Sequence, residues 1–157
     1  MFDRIVVGLD GSKLAEQVLP HAEAFASRYG GRLVLLRAVG ISPIRALGGA
    51  VVAPAGPGPL LDPTPHLQEE LLQATNYLTT LADRLQTQGL IVEQLTPNGH
   101  PADAILEAAR DGSNFIALTT HGHTGLVRAV LGSIVADVVR RATCPVLVVR
   151  ASEATSG

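Results

Sequence analysis

Short apolar runs that alternate with helix-patterned stretches constrain the fold of this chain more than any other feature. Four such runs, at residues 5–9, 33–36, 115–119 and 145–149, carry no charged side chain and are typical of strands buried on both faces. Residues 90–96 alternate weakly and predict one further strand. This alternation of strands with helices predicts an α/β domain in which a five-stranded parallel sheet carries helices on both faces.

The stretches between the strands show apolar residues at helical spacing. We expect helices over residues 14–29 with a kink at Pro20, over 64–88, over 101–110, and from residue 127 or 132 to residue 141. On the long second helix, the predicted buried face consists of Leu67, Leu71, Leu72, Leu78, Leu81, Ala82 and Leu85. We expect the strand order 3-2-1-4-5.

Sheets of this kind bind ligands at the carboxyl ends of their strands, at the point where the strand order reverses. The predicted order places strands 1 and 4 side by side, so that residues 9–12 and 119–133 would converge there. Asp10 either contacts a ligand at this edge or caps the following helix, and Ser12 could provide the same cap.

Length, charge and cysteine content narrow the classes of function. The 157 residues indicate one domain over 1–151, with a long flexible loop at 40–63 and a disordered tail at 152–157. A net charge of −2 without a basic stripe argues against nucleic-acid binding, and the uncharged stretch 46–61 is too short and too proline-rich to cross a membrane. A single cysteine and the lack of room for a signal peptide lead us to expect a cytoplasmic protein.

The loop between the fourth strand and the last helix carries the clearest functional pattern. Gly122 and Gly125 would let the backbone approach a ligand, and Gly132 and Ser133 precede a helix whose N-terminal N–H groups can bind an anion. These features fit phosphate groups, although glycines also occur in such loops simply to form the turn. The sequence has neither the P-loop lysine pattern nor the dinucleotide fingerprint, and we expect no metal site built from protein side chains.

Three blocks of the sequence resemble the universal stress protein family: residues 5–12, 99–105 and 121–149. The nucleotide-binding members of that family share a pattern of glycine, two residues, glycine, nine residues, and then Gly-Ser or Gly-Thr. Here Gly122 and Gly132 match its second and third glycines, whereas Thr119 replaces the first. The β-branched side chain of Thr119 could crowd a nucleotide, or its hydroxyl could be offered to the ribose.

The resemblance implies a Rossmann-like fold of the HUP type and a site for ATP, ADP or AMP, with Mg²⁺ bound through the phosphates. By the same resemblance, Leu9 and Asp10 would approach the adenosine, and Ala38 would contact the adenine through its backbone. Leu118 and Thr119 would flank the ribose. The phosphates would be held by His121, Gly122, Gly132, Ser133 and Ile134.

The resemblance also implies a function, namely a stress-response or signalling module that responds to an adenine nucleotide and forms a homodimer through the last strand, Val146–Val149. Two alternatives stay open: a dimeric stress protein that binds no nucleotide and acts through protein contacts, and a weak ATPase. The loop provides no carboxylate that could act as a base, so we expect at most slow ATP hydrolysis.

Overall fold

Strands and helices alternate along the chain as the sequence predicts. The structure is a computed structural model that describes residues 3–40, 64–110, 112, 115–120 and 131–152. Its strands are β1 (Arg4–Gly8), β2 (Arg32–Leu36), β3 (Ile91–Leu95), β4 (Phe115–Thr119) and β5 (Val146–Val149). A 3₁₀ turn (Ala15–Val18) precedes α1 (Leu19–Tyr29), and the helices that follow are α2 (Thr64–Thr87), α3 (Pro101–Arg110) and α4 (Ser133–Arg141).

The strands of these ranges form one parallel sheet in the order β3-β2-β1-β4-β5. This confirms the predicted order and places β1 beside β4, where the strand order reverses. The register pairs Val6 of β1 with Val34 on one side and with Ile116 on the other. The carboxyl ends of β1, β2 and β4 therefore lie at the same edge of the sheet.

Each face of the sheet has its own apolar core. Because side chains alternate along a strand, β1 contributes Ile5 and Val7 to one core and Val6 to the other. The first core includes buried residues of α1 and α2, namely Leu19, Ala22, Ala26, Leu78, Ala82 and Leu85. The second includes buried residues of α3 and α4, namely Ala102, Ile105, Val135 and Val138. Burial on both faces explains why the strand sequences are continuously apolar.

The first helical region differs from the single kinked helix that we expected over residues 14–29. The chain forms a 3₁₀ turn at Ala15–Val18, and α1 begins only at Leu19, with Pro20 in its first turn. Proline lacks an N–H group, and the first turn of a helix is where that group is not needed. Gly30 ends α1 in the left-handed conformation, with φ 71°, as its position in the sequence predicts.

The buried face of α2 is shorter than predicted. Leu71 and Leu72 are 40% and 60% exposed, and none of residues 65–73 is buried. Burial starts at Ala74 and continues through Leu78 and Leu85. With a rise of about 1.5 Å per residue, a helix of 24 residues is far longer than the five-residue strands beneath it, so its N-terminal part lies beyond the core.

The structure fixes two element boundaries near the carboxyl edge of the sheet. β2 ends at Leu36, the last residue of the uncharged run 33–36, and the chain beyond it stays paired with the chain after β3, since the Val39 N–H donates to the Pro97 carbonyl at 2.9 Å. α4 begins at Ser133, whereas the alternative start at residue 127 lies outside the described residues.

The predicted loop at 40–63 and the predicted tail at 152–157 lie outside the described residues, apart from Gly40 and Ser152. The uncharged stretch 46–61 lies outside them as well. Within the described part of the chain, no helix is long and apolar enough to span a membrane.

Candidate functional site

Several of the predicted site residues lie together at the carboxyl ends of β1, β2 and β4. Leu9 follows β1 directly, and its N–H donates to the Leu36 carbonyl at the end of β2, at 2.9 Å. Ala38 lies two residues beyond the end of β2, and Leu118 and Thr119 are the last two residues of β4. Leu9, Leu118 and Thr119 are buried, with exposed fractions of 7% or less, so they form the floor of this edge.

The N-terminus of α4 returns to the same edge. The Gly132 N–H donates to the Thr120 carbonyl at 3.2 Å, which brings the start of the helix to the end of β4. The first helical hydrogen bond runs from the Ala136 N–H to the Gly132 carbonyl, and no side chain caps the helix. The N–H groups of Ser133 and Ile134 consequently have no partner among the described residues, and the helix dipole favours an anion there. The other two predicted phosphate contacts, His121 and Gly122, lie outside the described residues.

Position 132 requires a glycine because a side chain would not fit there, and not because of its backbone conformation. Its φ of −57° and ψ of 152° are accessible to any residue. A Cβ at Gly132, however, would lie 2.9 Å from the carbonyl oxygen of Thr120. Because that oxygen belongs to the backbone at the end of β4, a side chain would push the N-terminus of α4 away from the sheet. The structure thus gives a physical reason for the third glycine of the motif.

Asp10 and Ser12 shape the turn after β1 together. One carboxylate oxygen of Asp10, Oδ1, accepts hydrogen bonds from the Ser12 N–H at 2.9 Å and from the Ser12 hydroxyl at 2.6 Å. The Ser12 hydroxyl in turn accepts the Ala15 N–H at 3.1 Å, so Ser12 rather than Asp10 binds the first N–H group of the 3₁₀ turn. The second carboxylate oxygen of the exposed Asp10 has no hydrogen-bond partner among the described residues and can accept one from a ligand.

The side chain of Thr119 serves the fold. Its hydroxyl donates to the Ala15 carbonyl at 3.0 Å, and the residue is only 7% exposed. Since a hydroxyl has a single proton, this group cannot donate to a ribose at the same time. Because the hydroxyl is bound to the 3₁₀ turn and the residue is buried, the side chain packs into the fold instead of lying across the open edge of the sheet.

A polar cluster of Arg37, Tyr77 and Glu16 lies beside Asp10, and the sequence pattern did not predict it. The Arg37 guanidinium sits over the ring of Tyr77, 5.3 Å from its centroid, and the Tyr77 hydroxyl donates to the Glu16 carboxylate at 3.2 Å. Burial, followed by the nearby Glu16 carboxylate, raises the pKa of Tyr77, which keeps the phenol a neutral donor. A Cβ at Gly11 would lie 2.8 Å from Arg37 Nη1, so the cluster reaches the turn after β1. The sequence feature that could have indicated this cluster is Arg37, a charged residue directly after the uncharged run 33–36.

The described ranges hold neither a cluster of metal ligands nor an activated thiol. No group of three His, Cys, Asp or Glu side chains within them could hold a metal ion. Cys144 packs against the core beneath α3 and α4, and burial raises the pKa of its thiol, which disfavours the nucleophilic thiolate.

A model of the universal stress protein family matches residues 1–150. The chain belongs to this family. The universal stress protein MJ0531 of Methanocaldococcus jannaschii is 30% identical over 151 residues, which cover 96% of this chain and 83% of that relative. The universal stress protein YxiE of Bacillus subtilis is 28% identical over 159 residues and is matched over its full length.

Solved structures of the family have the same Rossmann-like fold as this universal stress protein. The structure of MJ0577 superposes with a TM-score of 0.78 at 26% identity, covering 98% of this chain and 99% of the other. A universal stress protein in complex with cAMP gives a TM-score of 0.65 at 23% identity, covering 96% and 98% of the two chains. One from Archaeoglobus fulgidus in complex with dAMP gives 0.63 at 19% identity, covering 94% and 97%.

Proposed function

We propose that this universal stress protein binds an adenine nucleotide, ATP or AMP, and acts as a stress-response or signalling module. The observation that carries the proposal is the uncapped N-terminus of α4, which is held against the end of β4 by Gly132 and Thr120. A helix start without a side-chain cap, at the edge where the strand order reverses, suits a phosphate group. Family members in complex with cAMP and with dAMP support an adenine nucleotide as the ligand.

In this proposal the described residues contact different parts of the nucleotide. The N–H groups of Ser133 and Ile134 donate to phosphate oxygens, and the Ser133 hydroxyl adds one further donor. Asp10 accepts a ribose hydroxyl through the carboxylate oxygen that its own turn leaves free. Ala38 contacts the adenine through its backbone, and the buried side chains of Leu9 and Leu118 support the nucleoside from below.

We further propose that a divalent cation, Mg²⁺, accompanies ATP through the phosphate oxygens. No cluster of carboxylates or histidines in the described ranges could hold the ion independently of the nucleotide. Mg²⁺ usually keeps several water ligands and binds to proteins through substrate phosphates, so the site fits it only as part of the nucleotide complex.

Calorimetric titration of the nucleotide-free protein with ATP and Mg²⁺ is expected to give a dissociation constant in the micromolar range. Ser133→Ala removes a hydroxyl donor to a charged phosphate, a loss of about 1.5 kcal/mol or roughly tenfold in affinity. The matched control is Thr87→Ala, which removes an exposed hydroxyl from the far end of α2. Absence of heat up to millimolar ATP, AMP and cAMP would overturn the proposal and favour a module that acts only through protein contacts.

We also propose that the protein forms a homodimer through β5. This strand lies at one edge of the sheet, and its four residues are all partly exposed apolar side chains. The Pro145 carbonyl accepts the Ile116 N–H of β4, and the Val149 carbonyl accepts the N–H of Thr120, directly after β4. Backbone groups alternate in direction along a strand, so Val148 presents its N–H and carbonyl to the open edge, ready to pair with a second chain.

Replacing Val148 by proline removes an outward-facing N–H group without breaking the hydrogen bonds to β4, and it is expected to convert the dimer to a monomer. Gln94→Pro is the matched control, because Gln94 occupies the equivalent outward position on β3 at the opposite edge. Sedimentation velocity at tens of micromolar protein measures the outcome. A wild-type protein that sediments as a monomer, or a V148P variant that stays dimeric, would argue against β5 as the interface.

A further inference from the structure

Thr120, the residue directly after β4, joins three parts of the molecule. Its N–H donates to the Val149 carbonyl at 2.9 Å, which extends the pairing of β4 with β5. Its carbonyl accepts the Gly132 N–H at 3.2 Å, at the start of α4. Its hydroxyl oxygen accepts the Ala151 N–H at 3.1 Å, beyond the end of β5. A single residue therefore connects the proposed phosphate end of the site to the chain that leaves β5.

The segment that follows β5, residues 150–152, makes further hydrogen bonds at Ser152, the residue after Ala151. The Gln17 amide makes two hydrogen bonds to the backbone of Ser152: Nε2 donates to its carbonyl at 2.7 Å, and Oε1 accepts its N–H at 3.0 Å. Gln17 belongs to the 3₁₀ turn, which the Thr119 hydroxyl ties to β4 through the Ala15 carbonyl. Although we expected Ser152 to begin a disordered tail, it is held at both of its backbone polar groups.

These hydrogen bonds form a closed circuit around the carboxyl edge of β4. It runs from the start of α4 through Thr120 to residues 150–152, then through Gln17 to the 3₁₀ turn, and back to β4. The first N–H group of the same turn, that of Ala15, donates to the Ser12 hydroxyl, which is itself bound to Asp10. Both proposed ligand-contacting ends of the site, at Asp10 and at the start of α4, are thus connected to residues 150–152 through backbone and side-chain hydrogen bonds.

We propose that Thr120 is a positioning residue that couples nucleotide binding at the start of α4 to the docking of residues 150–152. The inference rests on the proposed nucleotide function and deepens it by naming the segment that responds. A phosphate bound at α4 holds Gly132 against the Thr120 carbonyl, which fixes Thr120 and keeps its hydroxyl oxygen in place for the Ala151 N–H. Nucleotide binding therefore tightens the attachment of the segment that follows the β5 edge.

Hydrogen exchange at the Ala151 and Ser152 amides, measured by NMR with and without ATP and Mg²⁺, tests the coupling. We expect ATP to slow exchange at these two amides by about tenfold, within the range of typical coupling between sites. Thr120→Val keeps the shape of the side chain but removes the acceptor, so both amides should exchange faster, and ATP should no longer protect them. Because coupling is reciprocal, the ATP affinity of the variant should fall by the same factor as the protection that is lost.

Two further variants separate coupling from a merely structural role. Thr120→Ser retains the hydroxyl and should restore both the protection and the affinity. Thr79→Val removes an exposed hydroxyl that bonds Gln94 near the other edge of the sheet, and it should leave both unchanged. Calorimetric titration of the same samples with ATP distinguishes the coupling through Thr120 from the proposed nucleotide function. Heat of ATP binding without protection at residues 151–152 overturns the coupling alone, whereas absence of heat overturns the nucleotide function together with it.

Discussion

Replacing Gly132 by alanine is expected to weaken ATP binding by about tenfold or more, which corresponds to ~1.4 kcal/mol, while the protein stays folded. The added Cβ would lie 2.9 Å from the Thr120 carbonyl oxygen, so the start of α4 must move away from β4. Donors aimed at a phosphate lose much of their strength when they are displaced by a few tenths of an ångström or misaligned. Calorimetric titration with ATP and Mg²⁺ measures the loss, and circular dichroism checks the fold.

Gly30→Ala provides the matched control for this substitution. Gly30 has a φ of 71° at the end of α1, by the amino edge of the sheet, and a Cβ there would have no neighbour within 4 Å. An alanine is therefore strained in its backbone and destabilises the protein by about 1 kcal/mol, but far from the carboxyl edge. Its ATP affinity should equal that of the wild type. If G132A binds as tightly as G30A, the close approach at Thr120 does not position the phosphate donors.

Replacing Thr119 by glycine, the residue that the family pattern has at this position, is expected to lower the free energy of unfolding by about 2–4 kcal/mol. The substitution leaves the Ala15 carbonyl without the hydroxyl that donates to it at 3.0 Å, and it removes a buried side chain from the end of β4. Glycine in a strand also increases the entropy lost on folding. Urea denaturation followed by circular dichroism measures the change.

The ATP affinity of the Thr119→Gly variant should change by less than about threefold, or ~0.7 kcal/mol, because the threonine side chain packs against the 3₁₀ turn. Thr119→Val isolates the hydrogen bond, since it keeps the shape of the side chain and removes only the hydroxyl. A glycine variant that binds ATP tenfold more tightly would mean that Thr119 does crowd the nucleotide. That result would favour the alternative in which the wild-type protein acts mainly through protein contacts.

The sequence by itself determined the architecture. Strands buried on both faces must be short and uncharged, so their runs stand out, and the intervening helical periodicity implies parallel strands. α3 begins and ends where predicted, at Pro101–Arg110, because proline marks the first turn of a helix. For the last helix the sequence left two starts open, residue 127 or residue 132, and α4 begins at Ser133, next to the second of them.

The tertiary structure alone decided what the polar side chains at that edge do. Thr119 bonds to Ala15, 104 positions away, and Gln17 bonds to Ser152 across 135 positions. Arg37, Tyr77 and Glu16 likewise meet only because the chain after β2 lies beside α2 and the 3₁₀ turn. A hydroxyl or an amide bonds equally well to many partners, so its sequence neighbours do not identify the one that it finds. That choice depends on which distant backbone groups folding brings within about 3 Å.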